Sequence, residues 1–132
     1  KVRCEPSKIQ QVLFNLVRNG AEAIWQKRQD MIERGEDTSS FQGRIHVKAA
    51  PSEKGVEIRI SDNGVGMAGD EQRQVFEPFY TTKAAGQGTG LGLSVSYFII
   101  TEDHGGSLGV ESKLGQGTIF IVFLPSESGN GE

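Results

Sequence analysis

Val56-Glu57-Ile58-Arg59-Ile60-Ser61-Asp62-Asn63-Gly64-Val65-Gly66-Met67 is an alternating strand pattern that runs into a carboxylate and two glycines. Val56, Ile58 and Ile60 mark one face of the strand, and Asp62 stands at its end. Gly64 and Gly66 let the backbone come close to a ligand. Extended to Ala68-Gly69, the same glycines match the dinucleotide-binding pattern, and the choice between the two readings decides the fold. The dinucleotide fold requires a helix that opens at once, a second parallel strand and an acidic residue about twenty positions on. That distance lands in Gly86-Gln87-Gly88-Thr89-Gly90, a loop, so the doubly wound reading is set aside.

Upstream, Ile45, Val47 and Ala49 alternate with polar neighbours and Pro51 to Gly55 reads as a turn, so the quoted strand closes a hairpin. Before it, Ile9, Val12, Leu13, Leu16, Val17, Gly20 and Ile24 fall at helical spacing from Pro6, whose missing N–H suits a first turn. The polar stretch Gln26 to Gly43 is expected to fray from this helix into a long, exposed, mobile loop. Downstream, Leu91 to Ile100 is apolar nearly all round and predicts a buried helix, opened by glycines and closed near His104-Gly105-Gly106. Leu108 to Ser112 and Thr118 to Leu124 form a second hairpin, whose last strand is apolar on both faces and therefore central. The chain shows no internal repeat.

This order predicts an α+β two-layer sandwich, with about three helices on one face of a mixed, mostly antiparallel sheet. One domain is expected over residues 1–125, with a flexible small polar tail at 126–132. A chain of 132 residues holds one such core. Its net charge of −3, with both signs mixed throughout, argues against nucleic acid or an anionic membrane surface as partner. The single Cys4 offers neither an internal disulfide nor a metal cluster, which fits the cytoplasm. No apolar run approaches the roughly eighteen residues that span a bilayer, so any anchor is expected outside this sequence.

Wound as a helix, Asn15, Asn19 and Glu22 fall on one narrow line roughly 140° from the centre of the apolar stripe, flanking the core face. This row is either a solvated flank or a set of oxygen ligands for a hard cation, since Mg²⁺ takes one or two protein oxygens beside substrate phosphates. Asp62 is either an acceptor for an exocyclic amine or part of an Asp-Asn-Gly surface turn. Gly86 to Gly92 has glycine at every other position and runs into the apolar helix, where free N–H groups and a positive helix end suit phosphate. A flexible linker is the alternative. No Gly-x-x-x-x-Gly-Lys-Ser/Thr string occurs, so the phosphate site is not a P-loop.

Taken in order, these strings resemble the catalytic domain of sensor histidine kinases in the GHKL group of ATPases and kinases. Gln11 to Ala23 resembles the N box, and Asp62 to Met67 the first glycine box. Val75-Phe76-Glu77-Pro78-Phe79-Tyr80-Thr81-Thr82-Lys83 resembles the F box, and Gly88-Thr89-Gly90-Leu91-Gly92-Leu93-Ser94 the second glycine box. Gly115 to Phe120 is similar to the family's last turn and strand, and Phe79 to Lys83 is closest in wording to the nitrogen- and oxygen-sensing subgroup.

The resemblance implies the Bergerat fold and binding of ATP with Mg²⁺. Asn19 is the implied metal ligand, with Asn15 supporting the phosphate side; Glu22, one turn to the other side of Asn19, is expected by helix geometry to support the site without facing the γ-phosphate. Asp62 is implied to accept from the adenine amino group, with Gly64 and Gly66 leaving room for the base beside Met67, and Thr118 nearby. Residues 76–90 are implied to form a mobile lid over the triphosphate, bearing Phe79, Thr82 and the phosphate contact Lys83. Gly88, Thr89, Gly90, Leu91 and Gly92 complete the implied phosphate side, and Asn15, Asn19 and Lys83 the implied catalytic set.

Three departures stand out: Cys4-Glu5-Pro6 where many relatives have an aspartate, one extra residue between Ser94 and His104, and a long Gln26 to Gly43 stretch. His46 lies in a strand pattern and His104 before Gly105-Gly106, so neither resembles the family's acceptor histidine. That acceptor is expected upstream of Lys1, on dimerisation helices that pass the phosphoryl group to a response-regulator receiver domain. The domain itself is then expected to be a monomer with no cognate histidine of its own. Alternatives are a hydrolytic ATPase of the gyrase or mismatch-repair kind, and a catalytically degenerate nucleotide-binding module. The hydrolytic relatives carry a glutamate one turn before the metal-binding Asn, where this chain has Asn15.

Overall fold

A computed structural model of the protein describes residues 5–77 and 92–126. Helix α1 spans Pro6–Glu33, followed by strands β1 (Ile45–Ser52) and β2 (Gly55–Asp62) and the short helix α2 (Gly69–Gln74). Helix α3 (Gly92–Phe98) continues into a π-helical turn at Ile99–Asp103, and strands β3 (Ser107–Lys113) and β4 (Gly117–Pro125) close the chain. The sheet order is β1-β2-β4-β3. Every pairing among the described strands is antiparallel, so the parallel component expected of a mixed sheet is absent there.

Strand β4 is central, as its two apolar faces predict. One face buries Phe120, Val122 and Leu124 with Ile58 and Ile60 of β2 and Leu108 of β3. Val12 and Leu16 of α1, with Ile99 and Ile100 after α3, cover that face and complete the core. Among the described residues, no helix is long and apolar enough to cross a membrane.

Helix α1 corrects the expected fraying. It runs unbroken through Gln26 to Glu33, because residues such as Gln26, Lys27, Arg28, Gln29, Met31 and Glu33 are polar or flexible yet strong helix formers. Gln26 Nε2 donates to Asp30 Oδ1 one turn on at 2.8 Å, adding local support. The helix stops at Gly35, whose φ of +76° is the left-handed cap, and Glu36 N–H reaches back to Met31 O at 2.8 Å.

Helix α3 is a second correction. Its apolar surface is wider than the core can accept, and Val95, Tyr97 and Phe98 remain exposed. The extra residue between Ser94 and His104 is taken up by the π-helical turn, which keeps Ile99 and Ile100 on the core side. Helix α2 was not anticipated. It carries Asp70 and Glu71 in its first turn, and Glu71 Oε1 accepts from Ala68 N–H at 3.0 Å. At the far end, Ser126 N–H donates to Lys54 O at 2.8 Å, so ordered contacts reach one residue past Pro125.

Candidate functional site

Asp62 ends β2 between Ile45 of β1 and Thr118 of β4. Gly20 lets α1 close on this strand end, since a Cβ there would lie 3.2 Å from Asp62 Cβ. The carboxylate is therefore set against the helix turn that bears Asn19. Burial pushes the Asp62 carboxyl above the usual carboxylate range. The Gly64 N–H, donating to Oδ1 at 2.8 Å, opposes that rise, as do the Lys27 charge and the Thr118 N–H.

The loop after Asp62 is held from both sides. Val65 N–H donates to Ala23 O of α1 at 3.1 Å, and Gly115 N–H donates to Val65 O at 2.6 Å. A Cβ on Gly64 would meet the Ala23 carbonyl carbon at 2.6 Å, and one on Gly66 would overlap the Lys113 carbonyl. Gly66 also has φ +73°, a region that disfavours other residues. The chain's own backbone thus requires glycine at both positions.

Behind the loop lies a hydroxyl network absent from the sequence reading. Ser112 Oγ accepts from Met67 N–H and donates to Gly117 O, each at 2.8 Å. Ser112 and Thr118 hydroxyls are 2.8 Å apart, and Ser112 has used its one proton, so Thr118 donates to it. The lone pairs of Thr118 Oγ1 are then the part left to accept. Gln72 of α2 ties Met67 O and Ser112 O together at 3.2 and 3.0 Å.

On α1, Asn15 Nδ2 donates to Ser96 Oγ of α3 at 3.3 Å, which turns its amide oxygen the other way. Ser96 is fully buried, and it stands out only as a hydroxyl inside an apolar run. Asn19 is half-buried one turn further on. Glu22 pairs with Arg18 at 3.5 Å, so its carboxylate serves the helix flank as well as the row. Among the described residues, no three His, Cys, Asp or Glu side chains gather to hold a metal alone. A cation at the Asn row would bring oxygens of water and phosphate with it, as Mg²⁺ does.

Phe79, Thr82, Lys83, Gly88, Thr89, Gly90 and Leu91 lie outside the described residues. Gly92 opens α3 with nothing within 4 Å of where its Cβ would be. Of the lid expected over 76–90, Phe76 and Glu77 are described: Phe76 is anchored, stacked on Tyr97 at 5.1 Å and against Phe120 at 6.2 Å, and Glu77 N–H donates to Gln74 O at 2.9 Å. His104 is structural as expected. Its Nε2 accepts from Glu5 N–H at 3.0 Å, so Nδ1 carries the proton and donates to Ile99 O at 2.9 Å. His46 lies across the sheet, where it lines a shallow depression with Lys48, Arg59 and Ser61. That depression opens on the sheet face opposite the core, which no helix covers among the described residues.

An open antiparallel sheet covered by helices on one face, with a carboxylate at a strand end set against a helix, is the α/β fold of histidine kinase catalytic domains. The chain belongs to the histidine kinase-, DNA gyrase B- and HSP90-like ATPase family, whose model matches residues 4–128. It is 38% identical over 125 residues to the sensor histidine kinase ZraS of Escherichia coli K12, covering 95% of this chain and 23% of that protein. It is 39% identical over 124 residues to sporulation kinase E of Bacillus subtilis strain 168, covering 94% of this chain and 14% of that one. The chain thus spans less than a quarter of the length of either relative. The nucleotide-free catalytic domain of histidine kinase ThkA matches with TM-score 0.72 at 30% identity, over 95% of this chain and 71% of that one. The mycobacterial sensor histidine kinase MprB matches with TM-score 0.73 at 25% identity, over 94% of this chain and 76% of that one.

Proposed function

We propose that this chain binds Mg-ATP and donates its γ-phosphoryl group to a histidine on separate dimerisation helices, which pass it to a response-regulator receiver domain. The observation that carries the reading is Asp62, a half-buried carboxylate pressed against Gly20, one residue from Asn19. A buried carboxylate at a strand end has an evident use as acceptor for an exocyclic amine. Thr118, with its proton turned to Ser112, offers a second acceptor beside it.

The amide oxygens of Asn15 and Asn19 fit a hard cation and its phosphates, because both come from one helix face and neither brings a carboxylate's full charge. Bound Mg²⁺ supplies charge neutralisation on the triphosphate. The protein's own part is positioning: the core fixes α1, and Ser96 holds the Asn15 side chain. Lys83 and the second glycine box remain in the proposal through their match to the family strings.

The test is to mix the domain with a paired-helix segment of a sensor kinase and Mg-ATP, then look for acid-labile phosphate on the segment. Its appearance, with loss on removing the segment's histidine, supports the reading. Tight ATP binding without transfer to any such segment points to a degenerate nucleotide-binding module.

A further inference from the structure

We propose that Lys27 is a positioning residue for base recognition, its ammonium tying the Asp62 loop to the β3–β4 turn and standing as the counter-charge of that carboxylate. The proposal rests on the reading of Asp62 as the base acceptor. Lys27 Nζ donates to Gly115 O at 3.0 Å and to Asn63 O at 3.4 Å, so one side chain from α1 grips both segments that flank Asp62. A point charge with three donors suits two carbonyls on different segments.

The long segment between α1 and β1 completes the arrangement. Phe41 sets its ring 5.3 Å from Lys27 Nζ and 5.3 Å from the Arg28 guanidinium, within cation–π range of both. Arg28 Nη2 also donates to Phe41 O at 3.3 Å. Asn63 fastens this segment to the site loop: its Nδ2 donates to Gln42 O at 2.8 Å and its Oδ1 accepts from Arg44 N–H at 2.7 Å. The extra length of this chain between helix and strand thus delivers an aromatic face to the ammonium beside Asp62.

Among the described residues, Lys27 is the charged group acting on Asp62; Gly64, Thr118 and Gly20, which also face it, are neutral. Burial drives the carboxyl toward its neutral form, whereas the ionised carboxylate is the stronger acceptor for an amine. Lys27 therefore does two things with one group: it holds the loop and keeps the acceptor charged.

Carbon-detected NMR of the Asp62 carboxylate, recorded against pH without nucleotide, separates these roles in Lys27→Met, Lys27→Gln and Lys27→Arg. Circular dichroism confirms that each variant is folded. Both neutral variants should move the Asp62 midpoint upward, and Lys27→Arg should return it toward the parent value. Lys27→Gln keeps a donor for the carbonyls, so it should retain more amide protection at Val65 and Gly115 than Lys27→Met. ATP affinity of the neutral variants should fall more steeply than the parent's as pH is lowered through the Asp62 titration. An Asp62 midpoint that stays in place in folded Lys27→Met and Lys27→Gln overturns the proposal. A midpoint that moves while ATP affinity does not follow overturns instead the assignment of Asp62 to the base.

Discussion

At Asp62 two influences oppose each other: burial favours the acid form, while Gly64 N–H, Lys27 and Thr118 N–H favour the carboxylate. The raised pKa sets a sign. The folded protein takes up this proton before the unfolded chain does, so in the window above 3.8 this group's contribution to stability increases as pH falls. Nucleotide binding should run the other way, weakening on acidification at a higher pH than an ordinary aspartate would give. Asp62→Ala should lose about 1.5–3 kcal/mol of ATP binding, roughly ten- to a hundredfold, in a folded protein, and calorimetry reads this directly. Asn19→Ala should leave the fold intact, since Val12 and Leu16, which carry the packing of the helix, are untouched by it. The same calorimetry with and without Mg²⁺ should show most of the metal's help gone; an unaltered Mg²⁺ dependence would reduce the row to a solvated flank. Asp62 was legible because it ends an alternating strand. Lys27 and Ser112 were not, because their partners lie 88 and 45 residues away in sequence, and no local pattern announces such pairs.

Among the elements, two glycines separate backbone strain from crowding. Gly35 caps α1 at φ +76° with nothing near its Cβ position, so Gly35→Ala should cost about 1–2 kcal/mol by conformation alone. Denaturant midpoints should fall with an unchanged slope, and nucleotide affinity should hold. Gly64 has no such φ, yet a Cβ there meets Ala23 backbone at 2.6 Å. Gly64→Ala should therefore lift the loop from α1 and lower ATP affinity along with stability. Equal affinity in the two variants would contradict the tight apposition. Helix periodicity marks where α1 begins but not where it ends, because the apolar stripe fades in the polar Gln26 to Glu33 although these residues favour helix. The one-residue surplus before His104 was visible in the sequence; that it becomes a π-helical turn depends on Ile99 and Ile100 both reaching the core, which only packing decides.

At the scale of the whole molecule, helices on one sheet face bring an amide row and a buried carboxylate together from opposite ends of the chain's first half. That arrangement was readable from the order of the motifs, since an amphipathic helix and a strand ending in Asp must share one core. Its chemistry turns on Asn15. An amide has no usable basicity near neutral pH, and Asn15 is already committed to Ser96 through its nitrogen. It can orient groups but cannot take a proton from water, a role typically contributing about 10²–10⁴-fold in rate. Glu22 is the nearest carboxylate on the helix line, but it lies beyond Asn19 and is paired with Arg18. The purified domain should therefore bind Mg-ATP and hydrolyse it barely above background. A multiple-turnover phosphate-release assay tests this: sustained turnover that survives Asn15→Ala and disappears in Glu22→Gln would make Glu22 the base and the protein a hydrolase instead of a phosphotransferase.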